Sequence, residues 1–411
     1  MVDKMDDLFS MDVDGLARLG LVSKDEEKIL SKADVAAEET SLSEYEHYLK
    51  HEFNSDAIAT ARKHGLFAIN VKKEYGGNEV RPLIHSLVQQ RLAQSGLGFP
   101  TLYDVQTFIS QPSISRWGTE EQKKRYLPKS ATGEFIFSFG LTEPEAGSDP
   151  RIMKTTYRKE GDSYIINGEK YLISNGSICN YMILFAKSSD KQNEITAFII
   201  DTKEKGYSVE AQLREKIGLF TADTAMISLE EMVVPESEIL GGIGNGLRIA
   251  YSALMNGRIG IGSACIGVIE GSLKASIERS KSRIQHGKEI GKHQLIQQHI
   301  SAIKQNLEMA KWPVYNAAIS MEDYNKDNND KKLLLDADLK SATAKRIASR
   351  LAFESADRAV QIHGGFGYSL ISPVGQLFCD SRVARIYEGT DEIQDLKIAA
   401  DLLGKEFEAF S

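Results

Sequence analysis

The hydrophobic period of this chain changes twice along its length, and that alternation limits its fold more than any other feature. From residue 1 to about 136 the apolar residues keep a helical spacing, in segments rich in Leu, Ala, Glu and Lys that break at Tyr75-Gly76-Gly77 and Pro100. From about 137 to 240 short strand-like runs replace them, at Met182–Ala186, Ile195–Ile200 and Ala225–Leu229. From about 241 to the end long helical stripes return. Ile296, Ile300, Ile303, Leu307 and Ala310 fall on one helical face, and Ala344, Ile347, Ala348, Leu351, Ala352 and Ala359 make a second stripe. The pattern predicts a multidomain α+β chain: a helical domain over 1–136, a β domain over 137–240 and a helical bundle over 241–411.

Local signals sharpen this reading. Gly118-Thr119-Glu120-Glu121-Gln122 predicts a capped helix start, with the Thr hydroxyl and the acids suited to the free amides of a first turn. Leu127-Pro128 predicts where that helix ends, because proline disfavours helical geometry in the residue before it. Asn167-Gly168, inside the run Tyr164 to Tyr171, predicts a hairpin, since this pair supplies the two positive φ angles of a type I′ turn. Gly257, Gly260, Gly262 and Gly267 each weaken a helix, yet they also allow close approach, so a tightly packed helix is expected there. Asn325 to Lys331 reads as a polar break between helices. The glycine runs 241–246 and 364–367 lie in no alternating strand–helix unit, so neither is read as a dinucleotide loop.

Composition excludes several function classes. The 411 residues carry a formal net charge of −8, which gives no electrostatic reason to expect nucleic acid. No run of 18 or more apolar residues occurs, so no membrane span is expected. The start, Met1-Val2-Asp3-Lys4 with Asp6 and Asp7, suits neither a secretory signal nor an Arg-rich transit peptide, and a cytoplasmic location is the expectation. Cys179, Cys265 and Cys379 are widely separated, which argues against a disulfide framework or a structural zinc site. The histidines show no ligand spacing, so no metal is proposed.

Four stretches carry the chemistry. Phe139-Gly140-Leu141-Thr142-Glu143-Pro144-Glu145-Ala146-Gly147-Ser148-Asp149 is a loop of small and hydroxyl residues whose backbone can approach a ligand closely. Asn167-Gly168-Glu169-Lys170 leads to Leu172 and Ser174. Gln361-Ile362-His363-Gly364-Gly365-Phe366-Gly367 lies near the C-terminus, ahead of Arg385-Ile386-Tyr387-Glu388-Gly389-Thr390-Asp391-Glu392. With Arg283-Ile284-Gln285-His286-Gly287, these give in order T-E-P-x-A-G-S-D, N-G-x-K, R-x-Q-x-G, Q-x-x-G-G-x-G and Y-E-G-T. Five motifs in this order resemble the acyl-CoA dehydrogenases, and the resemblance covers nearly the whole chain.

The resemblance implies an N-terminal all-α domain, a middle β-barrel or β-sandwich domain and a C-terminal four-helix bundle. It implies FAD, an acyl-CoA thioester oxidised between its α and β carbons, and an electron-transfer flavoprotein as acceptor. Glu388 matches the base that takes the α-proton, a task a carboxylate performs once burial raises its basicity. Around flavin the resemblance carries over Phe139, Leu141, Thr142, Gly147 and Ser148, then Leu172 and Ser174, and Thr390 with Glu392. Arg283 matches a pyrophosphate-binding Arg, followed by Gln285, His286, His293 and Gln294. Gln361, Gly364 and Gly365 match the adenosine end, where the family uses a neighbouring subunit's flavin, so a homotetramer is implied. Toward substrate it points to Ser148, Met255, Tyr387 and Gly389. Arg258 reads either as an active-site cation or as a helix-surface charge.

Some positions depart from the family pattern. Leu172 stands where a flavin-stacking Trp is common, His286 where Phe is usual, Cys379 where Arg precedes Asp380, and Phe220 where Arg is frequent. Gly257 occupies the position from which some relatives supply the base, which leaves Glu388 without that rival. The segment Gly98 to Gln106 lacks the Arg that glutaryl-type relatives use, which counts against dicarboxylates. Two other readings stay open at this point: an oxidase of the same fold using oxygen, and a non-catalytic FAD-bound scaffold.

Overall fold

The computed structural model describes residues 22–191 and 194–407; the N-terminal residues read above for a targeting signal lie outside them. Helices come first: α1 (Lys24–Lys50), α2 (Asp56–Lys63), α3 (Pro82–Leu92), α4 (Gly98–Asp104), α5 (Gln111–Trp117) and α6 (Glu120–Ala131), with a π-helical stretch Val105–Ser110 joining α4 to α5. Two of these starts are written locally. Ser23 and Glu26 bond each other's backbone amides at the head of α1, and Thr119 and Gln122 do the same for α6. The expected end at Leu127-Pro128 is wrong. Pro128 sits inside α6, which closes only at Ala131, and the Pro128 carbonyl still accepts from Thr132 N at 3.2 Å. So close to the C-terminus the proline costs a single ladder bond.

The middle of the chain is β1 (Phe137–Gly140), β2 (Thr156–Glu160), β3 (Ser163–Ser174), β4 (Tyr181–Ser188), β5 (Ile195–Asp201), β6 (Tyr207–Gln212), β7 (Thr224–Pro235) and β8 (Ile239–Leu240). Among the described residues these form one eight-stranded sheet in the order β6-β7-β3-β2-β4-β5-β8, with β1 added in parallel to β4. The predicted hairpin at Asn167-Gly168 is not there. The chain reverses at Gly161-Asp162 instead, where Glu160 pairs with Ser163. Asn167-Gly168 lies inside β3 as a bulge, between Ile166 and Gly168 of the β7 register. Pairing with β2 on one side and β7 on the other outweighs the local turn preference. The Asn167 side chain bonds Glu231 instead, accepting from its amide at 2.8 Å.

Helices return with α7 (Gly246–Ser282), α8 (Gln294–Lys326), α9 (Lys331–His363), α10 (Pro373–Ser381) and α11 (Asp391–Leu403), and a small hairpin, β9 (Ile284–Gln285) and β10 (Lys288–Glu289), follows α7. α7 is 37 residues long with mean hydropathy 1.3 over its most apolar window, enough by length and composition to cross a bilayer. That window is 83% buried inside the protein, so α7 is the core helix of the bundle. Its glycines explain how neighbours pack so close. A Cβ on Gly267 would lie 2.2 Å from the Gln90 carbonyl oxygen, and one on Gly271 would lie 2.0 Å from that of Gln94. Ile303, Leu307 and Ala310 of α8, and Ala344, Ala348, Leu351 and Ala352 of α9, are buried on the faces their spacing predicts.

Candidate active site

Glu388 lies in the turn between Arg385 and α11, where the N-terminal helices, the sheet and the bundle meet. Its φ is +56° and that of Gly389 is +87°. A glutamate pays strain in the left-handed region, of order 1–3 kcal/mol, and holds it only where its surroundings impose it. Here three side chains grip the turn's carbonyls. Arg258 Nε donates to the Glu388 carbonyl at 3.4 Å and Gln394 Nε2 to the same oxygen at 3.3 Å. The Gly389 carbonyl accepts from Gln394 at 3.0 Å and from Lys345 Nζ at 2.8 Å. Thr390 caps α11 by accepting from Ile393 N at 3.2 Å.

The turn sends the Glu388 carboxyl inward. Its Oε2 is buried and has no hydrogen-bond partner, and a Cβ on Gly257 would lie 2.4 Å from it. The same Cβ would lie 3.3 Å from Ile109, which packs with Val105, Ala253 and Phe139. The carboxyl, the α4–α5 segment and the first β strand therefore meet in one packed wall. Burial pushes the Glu388 carboxyl up to about 7, against the opposing pull of Arg258 and Lys345.

Several cations and acids here were not singled out by sequence. Lys345 is fully buried and pairs with Asp391 at 3.2 Å, and Asp391 also binds Arg385 at 2.8 Å. The signal was present, since Lys345 falls on the buried α9 face with Ser341 and Ala348. Arg258 is buried and ion-paired with Asp338 at 2.9 Å. The helix-surface reading fails on burial; its charge is committed to Asp338 and the Glu388 carbonyl. Met255 is buried, as is the Tyr387 hydroxyl, which has no hydrogen-bond partner.

On the sheet side, the loop Leu141–Asp149 is clamped to β3. Buried Lys170 pairs with buried Glu143 at 2.7 Å and donates to the Leu141 carbonyl at 3.3 Å. Glu143 also accepts from the Lys154 and Thr155 amides, the latter at 3.1 Å; the Lys170 charge, with these donors, holds its carboxyl below the ordinary range despite burial. Tyr171 N donates to the Thr142 carbonyl at 2.9 Å, which brings Phe139, Leu141 and Thr142 beside Leu172 and Ser174. A second bulge between Lys170 and Ile173 puts Leu172 at φ +58° and leaves the residue 46% exposed. Gly147 has open space where a side chain would be. The open space at Gly147 and the exposed apolar Leu172 on this loop and bulge are features an extended, partly apolar cofactor would need.

The remaining sequence candidates are elsewhere. Arg283 follows α7, 26 residues beyond Gly257, which is roughly 39 Å along a helix. There Gln285 ends β9, His286 lies in the turn before β10, and His293 Nε2 bonds the Gln285 carbonyl at 3.4 Å just before Gln294 opens α8. Arg279 lies 5.3 Å over the Phe366 ring, which brings Gln361, Gly364 and Gly365 into this second group. More than half the length of α7 therefore separates the two groups. Glu392 is exposed and Ser148 lies beside Gly147 in the clamped loop.

Comparison with known proteins gives this geometry a family. The descriptions acyl-CoA dehydrogenase N-terminal, middle and C-terminal domain match residues 23–134, 138–232 and 244–403. An acyl-CoA dehydrogenase of Bacillus subtilis is 35% identical over 355 residues, covering 86% of this chain and 91% of that protein. Subunit CarC of the caffeyl-CoA reductase-Etf complex of Acetobacterium woodii is 36% identical over 357 residues, with 86% and 91% covered. Among solved structures, butyryl-CoA dehydrogenase of Megasphaera elsdenii superposes with a TM-score of 0.87 at 30% identity, covering 93% of this chain and 99% of that one. The acyl-CoA dehydrogenase of Bacillus anthracis complexed with FAD gives 0.87 at 29% identity, covering 93% and 68%. Fold and site define a flavin-dependent oxidoreductase with FAD as its cofactor. The chain belongs to the acyl-CoA dehydrogenase family.

Proposed function

We propose that this protein oxidises an acyl-CoA thioester to the trans-2-enoyl-CoA, with Glu388 as the base and an electron-transfer flavoprotein as the electron acceptor. The observation that carries this reading is the Glu388 carboxyl, turned inward on a strained turn with a buried, unpartnered oxygen. Bound FAD supplies the hydride acceptor for the β-carbon. Glu388 takes the α-proton, and burial gives it the basicity this requires near neutral pH. Arg258, Gln394 and Lys345 fix the turn so that the carboxylate needs no reorganisation as charge develops. The family resemblance implies that the Glu388 amide donates to the thioester oxygen, with Gly389 letting the backbone approach the substrate. The Lys170–Glu143 clamp shapes the loop for FAD, with Phe139, Leu141, Thr142, Gly147, Ser148, Leu172 and Ser174 on its rim and Thr390 opposite.

The separation of the two groups along α7 fits an arrangement in which Arg283, Gln285, His293 and Gln361 serve a neighbouring subunit's flavin, and the family resemblance implies a homotetramer. The relative from Acetobacterium, a component of a complex with Etf, supports the acceptor. Anaerobic titration with a panel of acyl-CoAs tests the reading: flavin absorbance bleaches with the true substrate. Glu388→Gln binds acyl-CoA without bleaching. Undiminished bleaching in that variant overturns the assignment of the base, and no bleaching by any acyl-CoA favours a non-catalytic scaffold.

A further inference from the structure

Asp104 is a second carboxyl in the same wall. It is the last residue of α4, where the backbone widens into the π-helical stretch, and it is 2% exposed. Its Oδ1 is buried without a hydrogen-bond partner, like Oε2 of Glu388. Both oxygens rest on α7. A Cβ on Gly260 would lie 1.8 Å from Asp104 Oδ1, and a Cβ on Gly257 would lie 2.4 Å from Glu388 Oε2. Residues three apart share a helix face, with Cβ positions about 5–6 Å from each other. Two oxygens that lack donors therefore lie over the same face of α7, at two glycines one turn apart.

The surrounding charges are already engaged. From α7, Arg258 pairs with Asp338 of α9 at 2.9 Å. From α9, Lys345 is held by the Gly389 carbonyl and by Asp391, which also takes Arg385 and Arg346. From α3, His85 stacks on Phe108 at 3.6 Å, bonds Thr107 and is kept neutral by burial. Tyr387 stays a neutral phenol, raised by burial and by the nearby Cys265, Asp104 and Glu388. Burial, and then the charge of Glu388, push the Asp104 carboxyl well above the ordinary carboxylate range. Two adjacent buried carboxyls do not both ionise near neutrality.

We propose that Asp104 and Glu388 form a carboxyl pair sharing one proton, in which Asp104 is a positioning residue that donates to Glu388 Oε2 and holds the base over the α-carbon. This rests on the reading of Glu388 as base. In the step itself the α C–H bond breaks and an O–H bond forms on Glu388. The C–H electron pair becomes the new C=C bond as the β-hydride leaves for the bound flavin, and the Asp104 proton is not consumed. The pair is then doubly protonated until the Glu388 proton returns to solvent with product release.

Infrared titration of the oxidised holoenzyme, together with anaerobic flavin reduction, tests the pair. Wild type shows a protonated-carboxyl band that persists above pH 7 and is missing in Asp104→Asn. In Glu388→Gln the same band titrates at lower pH by about one unit or more, because the neighbouring negative charge is gone. Asp104→Ala slows flavin reduction about tenfold or more, the loss of one hydrogen bond to a charged group, and Asp104→Asn, which keeps a donor, recovers part of it. Absence of the band above pH 7, or a band unmoved in Glu388→Gln, overturns the pair while leaving the base in place. Flavin reduction undiminished in Glu388→Gln overturns the base, and the pair with it.

Discussion

Lys345 reaches from the middle of α9 to donate its buried Nζ to the carbonyl of Gly389 at 2.8 Å, and so anchors the strained turn that carries Glu388. The same ammonium neutralises Asp391, the first residue of α11. One side chain thus ties the long bundle helix to the backbone of the base.

Lys345→Met removes both contacts. Asp391 keeps Arg385 and Ser349, so the expected destabilisation is about 3 kcal/mol, the low end for breaking a buried pair. Denaturant unfolding of the holoenzyme checks it. Flavin reduction should fall by about a hundredfold, because a base displaced by an ångström loses about that much.

Gly257→Ala acts first on the carboxyl, with a lesser contact on Ile109 at 3.3 Å. Its Cβ would lie 2.4 Å from Glu388 Oε2, so the carboxyl must move. The single-turnover rate of flavin reduction should drop by about a hundredfold, while acyl-CoA affinity changes little. Rapid-mixing kinetics and equilibrium binding separate the two.

The pH response has a definite sign. Glu388 is raised from 4.5 to about 7 in the folded protein. Flavin reduction at low acyl-CoA concentration should therefore rise with pH and level off above about 7, since this regime reports the free enzyme. Between pH 4.5 and 7 the native state keeps a proton that the unfolded chain has released. Wild-type stability relative to Glu388→Gln should fall as pH rises through that window. Thermal unfolding of both proteins across the range measures the difference.

Leu172 stands on its bulge, 46% exposed, where the family commonly places a Trp. A leucine covers less of a flavin face than an indole. Leu172→Trp should therefore slow reoxidation of the substrate-reduced enzyme by air, measured by stopped-flow after anaerobic reduction. Unchanged reoxidation would show that Leu172 does not gate oxygen.

The sequence by itself determined the order of helical, β and helical segments, because periods of 3.6 and 2 are local properties of the chain. It determined the glutamate at 388 and the absence of a rival carboxylate at 257, because residue identity needs no coordinates. It misplaced the turn at Asn167-Gly168 and the helix end at Pro128, where pairing with β2 and β7 and the last turn of α6 outweighed local preference. Only the tertiary structure decided that two carboxyls lie over Gly257 and Gly260, that Arg258 is spent on Asp338, and that Lys345 grips Gly389. Those relationships join residues from 44 to 156 positions apart, and they arise from how closely α7, α9 and the α4–α5 segment pack. No local pattern encodes that spacing; it follows from filling one core.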